Sequence, residues 1–175
     1  MAVRDVEVYP ARILKREATP VGHPGEDART LAADLVDTMR AAPGCVGIAA
    51  PQIGVDRRGF ALDVSVMRRP PERHHGLVVL FDPELVHAEG GEVAREGCLS
   101  VPDFTCDVVR ASHVVVRGTM PDGEERVIEA VAFEARAFQH ELDHLDGLLI
   151  LDRVTSARTG IHPRRRYAGP GGHLR

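Results

Sequence analysis

The chain has no tryptophan, and aromatic residues make up only 4% of its 175 positions, so a core has to be built from Val, Leu, Ile and Ala. Cysteine is scarce as well. Cys45, Cys98 and Cys106 are too few, and odd in number, for a disulfide framework. The expectation is a reducing, cytoplasmic setting with thiols either free or bound to metal. No apolar run approaches the length of a membrane span. Met1 to Glu7 lacks the apolar stretch of a secretion signal. A basic excess is also missing: the net charge of −4 argues against a general nucleic-acid binder. The length fits one domain, large enough to bury a core without covalent staples.

Residues 1–25 are punctuated by Pro10, Pro20 and Pro24 and read as an extended leader. From Glu26 to about Ala42 the pattern is helical: acidic residues open it, Leu31, Leu35, Val36 and Met39 form an apolar stripe, and Pro43-Gly44 closes it. Short β-like runs follow at Gly59 to Val64, Leu77 to Phe81, Leu85 to His87, Val108 to Val109, Val114 to Arg117 and Arg126 to Ala130. Pro121-Asp122-Gly123 marks a turn, and Arg68 to His75 a solvated loop. Leu148 to Leu151 reads as a final strand. The expected fold is α+β, with antiparallel or mixed sheets packed around a central motif-bearing helix and one N-terminal helix. A single domain is expected over residues 1–155. A basic, Pro/Gly-rich, flexible tail is expected over 156–175, with five arginines and no acidic residue from Ala157 onward.

The central helix is the one carrying His140-Glu141-Leu142-Asp143-His144. Positions four apart share a helix face, so His140 and His144 can grip one cation while Glu141 reaches a water beside it. Phe133, Ala137, Phe138, Leu142 and Leu145 recur near helical spacing, and Gly147 supplies a stop. An ordinary amphipathic helix with two solvated histidines is the competing reading. Asp143 is expected either to orient a metal-bound histidine or to lie exposed.

An open hydrolytic site usually has three protein ligands, so one is missing. Leu148 to Thr159 contains no histidine, and only Asp146 and Asp152 follow as carboxylates. The third ligand is therefore sought upstream, where Glu96-Gly97-Cys98-Leu99-Ser100 offers a thiolate suited to iron(II), zinc, nickel or cobalt. A small buried cysteine in a strand is the alternative. Upstream again, Val46-Gly47-Ile48-Ala49-Ala50-Pro51-Gln52 combines small residues with an amide that can donate to an oxyanion.

These three segments, in this order, resemble the signatures of peptide deformylase, and the resemblance runs from about Val6 to Val154. It implies removal of the formyl group from the N-terminal formylmethionine of new polypeptides. It implies one divalent ion on Cys98, His140 and His144, with Fe2+ as the natural metal and Zn2+, Ni2+ or Co2+ taken up on purification. Glu141 is implied as general base, and the Gln52 amide and Leu99 N–H as oxyanion donors. Glu96 and Arg110 are implied as an ion pair steadying the Cys98 strand. The methionine pocket is expected from Val46, Gly47, Leu99, Phe133, Ala137 and the stem of Arg136, with the peptide extended along a strand edge. Partners are then formylmethionyl polypeptides and, through the basic tail, a transient ribosome contact. No membrane and no specific DNA are expected. Two departures stand out: Cys45 replaces a usual glycine, and Thr105 replaces a basic residue that some relatives carry seven positions after the metal cysteine. Other readings are a zinc endopeptidase with a downstream ligand, or a non-enzymatic binder of metal or nascent chains.

Overall fold

The computed structural model describes residues 2–164. Its strands are β1 (Gly47–Ala49), β2 (Gly59–Leu62), β3 (Val78–Glu89), β4 (Glu92–Cys98), β5 (Val101–Arg110), β6 (His113–Thr119), β7 (Glu125–Val131) and β8 (Ile161–Pro163). They form a five-stranded sheet in the order β1-β2-β3-β6-β7 and a three-stranded sheet in the order β4-β5-β8. Every pairing between named strands is antiparallel. The α+β expectation holds, with helix α1 (Glu26–Ala41) near the N-terminus and α2 (Ala132–Leu145) carrying the histidine motif.

Alternation along the strands decides what each sheet face buries. Ala49, Phe60, Leu62, Leu80, Val116 and Ile128 point to one side, where Ala135, Phe138, Leu142 and Leu145 of α2 meet them. Ile48, Ala61 and Phe81 point the other way, onto Leu31, Leu35 and Met39 of α1. With few aromatics available, Phe60 and Phe138 meet edge-to-face at 5.8 Å across the first interface. A third cluster of Leu14, Val101, Cys106, Val108, Leu149 and Ile150 lies under the smaller sheet.

Helix α1 follows the expected span, ending one residue earlier, with Glu26 and Asp27 in its first turn complementing the helix dipole. Gly147 ends the α2 segment with a φ of 72°, a left-handed conformation suited to glycine. The runs expected at Leu77 to Phe81 and Leu85 to His87 fall in one irregular strand, β3. The strand expected at Leu148 to Leu151 is not formed. Leu149 and Ile150 are buried by side-chain packing, while their backbone turns, with Asp152 N–H donating to Leu149 O at 2.9 Å. An apolar run signals burial, and here burial comes without a ladder. Part of the segment expected as tail carries β8, whose Thr105–His162 register places it beside β5. The rest of that tail, 165–175, lies outside the described residues.

The leader straps the site segments together. Glu7 N–H donates to Gln52 O at 2.8 Å, Tyr9 N–H to Ser100 O at 2.9 Å and Ala18 N–H to Leu145 O at 2.8 Å. At its start, Arg4 clasps the buried Asp34 through Nε at 2.9 Å and Nη2 at 2.7 Å, and Ala2 N–H adds a third donor.

Phe138→Ala should cost about 3–5 kcal/mol in urea unfolding, because it opens a cavity at the helix–sheet interface. The Asp34 clasp gives a pH signature. Burial pushes its carboxyl up, but the hydrogen bonds from Arg4 and Ala2 outweigh that and hold it below its ordinary 3.8. A depressed folded-state value means its stabilisation is complete above about 3.8 and is lost as pH falls through the lower folded value. Amide exchange at Ala2 and Arg4 should therefore accelerate selectively on acidification through that window, and Asp34→Asn should remove the effect.

Candidate metal centre and active site

The i, i+4 spacing on α2 stacks His140 and His144 on one face, their ring centroids 5.0 Å apart. Cys98, at the end of β4, comes to that face, with Sγ 3.2 Å from His144 Nε2. Tetrahedral ligands on a metal at ordinary N and S bond lengths sit roughly 3.3–3.6 Å apart. The candidate ligand atoms of Cys98, His140 and His144 all lie within 4.8 Å of one another. The donor set therefore fits a single small divalent ion.

The electrostatics agree. Burial alone would raise the Cys98 thiol, yet His144 and His140 beside it bring it well below its ordinary value. His140 is driven the opposite way: burial lowers it, and Cys98 and Glu96 raise it well above the histidine range. A buried thiolate that pulls positive charge toward itself is what a cation site needs. His144 Nδ1 and Glu141 Oε2 are the buried side-chain atoms without a hydrogen-bond partner among the described residues.

Glu96 is the centre of the surrounding charge network. Its carboxylate accepts two hydrogen bonds from Arg110, at 3.0 Å each, and one from Arg136 at 3.0 Å. Its Oε2 also lies 3.0 Å from His140 Nδ1, which fixes the ring and turns Nε2 toward the ligand cluster. Burial raises the Glu96 carboxyl, but His140 and Arg110 prevail and hold it at about 2. The Glu96–Arg110 pair is thus buried, not a surface pair, and it acts on a histidine as well as on a strand.

The role considered for Asp143 is corrected. Asp143 is buried and clasps Arg110 and Arg153, so it neither orients a histidine nor lies exposed. It neutralises the guanidinium that serves Glu96. Arg136, expected to offer only its stem, also turns its guanidinium inward to Glu96, Val108 O and Glu92 O.

Glu141 is buried beside the ligand face, and burial lifts its carboxyl to about 7 against the lowering influence of His140 and His144. Gly47 makes room for it, since a Cβ at that position would collide with Glu141 Oε1. Gln52 is pinned in place: its Oε1 accepts Ala49 N–H at 2.9 Å, and its Nε2 reaches Ser100 Oγ at 3.2 Å and Cys98 Sγ at 3.5 Å. Ser100 and Arg95 were not singled out in the sequence. Ser100 stands inside the Cys98 segment and was within reach of that motif; Arg95 carried no signal.

The pocket takes in Val46, Gly47, Gln52, Leu99, Phe133, Arg136, Ala137, His140 and Glu141. It lies between β1 and β4, each the last strand of its sheet, so neither outer edge pairs with another named strand. Cys45 also lines it. Its half-buried thiol is pushed up to about 12 by loss of solvent and by the nearby Glu141, and its Sγ lies 3.0 Å from Gly47 O. That cysteine is a neutral wall, unlike Cys98.

The family model for polypeptide deformylase matches residues 3–159. The peptide deformylase of Thermodesulfovibrio yellowstonii is 40% identical over 165 residues, 94% of this chain and 97% of its own. The crystal structure of the Thermotoga maritima peptide deformylase superposes with a TM-score of 0.80 at 33% identity, covering 89% of this chain and 100% of that one. The Met-Ala-Ser-bound class I type b enzyme of Acinetobacter baumannii gives 0.81 at 34% identity, over 87% and 99%. Profile, sequence identity and fold coincide, and the chain belongs to the polypeptide deformylase family.

Proposed function

We propose that this chain hydrolyses the formyl amide of N-terminal formylmethionine on new polypeptides, releasing formate, with Cys98, His140 and His144 holding one divalent ion. The observation that supports this most is the meeting of a low-pKa thiol and two imidazoles beside a buried, proton-accepting Glu141, with Cys98, His140 and Glu141 lining one pocket. When bound, such an ion acts as a Lewis acid that lowers the pKa of a water and polarises the formyl carbonyl.

The chain's own residues do the rest. Glu141, with its carboxyl near 7, takes the proton of the attacking water and later delivers it to the departing α-amine. Gln52 Nε2 and the Leu99 N–H are the donors for the oxyanion, and the amide of Gln52 is held by Ala49 and Ser100 before substrate arrives. Glu96 keeps His140 in one tautomer, with Arg110 balancing its charge. Val46, Gly47, Phe133, Ala137 and the stem of Arg136 enclose the methionine side chain, and the following peptide lies extended between the free edges of β1 and β4. The A. baumannii relative solved with Met-Ala-Ser supports a tripeptide of this kind as ligand.

The natural ion is read as iron(II), because a thiolate donates more charge than a carboxylate and leaves zinc a weaker Lewis acid. A cytoplasmic setting follows from action on new chains. The arginine-rich C-terminal sequence is read as a transient contact for the anionic ribosome.

Formate release from formyl-Met-Ala-Ser tests the reaction. Glu141→Gln should lower kcat by about 10²–10⁴-fold with metal content unchanged, since only the proton carrier is removed. Gln52→Leu should cost about 10²–10³-fold through loss of an oxyanion donor. Cys98→Ala should abolish stoichiometric metal uptake along with activity. Cleavage at internal peptide bonds with Cys98→Ala still active would instead establish an endopeptidase. Metal analysis after anaerobic purification should find iron; full activity with zinc alone and no iron uptake would overturn that assignment.

A further inference from the structure

Beyond the ligand cluster, the pocket mouth holds an arginine that arrives from the far end of the chain. β8 pairs with β5 in the register Phe104–Pro163 and Thr105–His162, and Arg164 follows with its N–H donating to Asp103 O at 2.8 Å. Its side chain crosses β5 toward β4. There Nη1 donates to Cys98 O at 3.3 Å, and the guanidinium joins the pocket lining.

Gly97 leaves room for this seat: a Cβ at that position would stand 2.8 Å from Arg164 Nη2, so the guanidinium would have to move aside. Thr105, paired with Gly97 across the ladder, brings no charge of its own.

The other arginine at the mouth, Arg95, is already engaged by Asp107 at 3.2 Å and His162 at 3.0 Å. Arg164 makes no ion pair with a carboxylate among the described residues. A guanidinium carries five N–H donors, and one is committed here to a carbonyl. An exposed cation with spare donors, beside the free edge of β4, is matched to oxygen atoms of an extended peptide.

We propose that Arg164 is a substrate-binding residue: its guanidinium receives main-chain oxygen atoms of the peptide that follows formylmethionine. The inference rests on the deformylase reading above. It assigns to Arg164 recognition of the peptide beyond methionine and no part in the chemical step. A peptide lacking those atoms gains nothing from it.

The test compares the full chain with Arg164→Ala and Arg164→Lys on three substrates: formyl-Met-Ala-Ser, its C-terminal amide, and formyl-Met amide. Arg164→Ala should raise KM for the tripeptide about tenfold, leave kcat within about twofold, and leave formyl-Met amide unaffected; Arg164→Lys should recover part of the loss. An equal loss on tripeptide acid and amide assigns the contact to main-chain carbonyls. A loss confined to the acid, so that only the terminal carboxylate is bound, rejects the main-chain assignment. Unchanged KM, or the same loss on formyl-Met amide, overturns the proposal. If the parent chain releases no formate from any of the three, it is the deformylase reading that has failed. Calorimetric binding of Met-Ala-Ser amide to the parent and Arg164→Ala then still decides: weaker binding to the variant supports the contact, and equal binding refutes it. Should Arg164→Ala unfold, Arg164→Gln in the same assays takes its place.

Discussion

One buried carboxylate holds the site in shape. Glu96 receives two arginines and one histidine, and it sits two residues before Cys98 on the same strand. Residues i and i+2 of a strand face the same way, so the strand that orients His140 also delivers the thiol to it. Shifting β4 by one residue would turn both groups away together. Such a buried charge is costly unless its partners are complete. Here they are complete: Arg110 is itself balanced by Asp143, which Arg153 then serves from the protein surface.

Around that centre the two sheets divide the work. The larger one buries the apolar side of α2 and fixes where the helix lies. The smaller one meets the polar side and brings the thiol, the carboxylate and the Arg110 guanidinium. The leader closes the arrangement through backbone hydrogen bonds to Gln52, Ser100 and Leu145, one at each segment that carries chemistry. The leader is extended except for a turn at Tyr9-Pro10 and a 3-10 turn at Arg12–Lys15, and it reaches all three segments through main-chain groups.

What the sequence revealed follows how local each cause is. The His140–His144 pair was readable because helix geometry fixes the relation of positions four apart. α1 was readable because its apolar stripe has one period throughout. β1 was hidden, being three residues in a Gly/Ala-rich stretch that looks like a turn. β4 was hidden because its buried positions are the charged Glu96 and Cys98 while Val93 lies exposed, so no apolar alternation marks it. The true neighbours of Asp143 are Arg110 and Arg153, and no spacing rule connects three such positions. Leu148 to Leu151 misled for the opposite reason: its apolar run is real, but its backbone is not in a ladder. Arg164 reaches the pocket only through the β8 pairing, which no motif announced.

The paired free borders flanking the pocket have a consequence for which proteins can enter. A groove that welcomes an extended peptide would equally invite fusion with stray strands from other molecules. β1 offers three residues, about 10 Å of backbone, and β4 is studded with charge. Such an edge limits pairing with stray strands to a few residues. On the proposed peptide path, a contact as short as β1 favours a loose terminus over a folded domain.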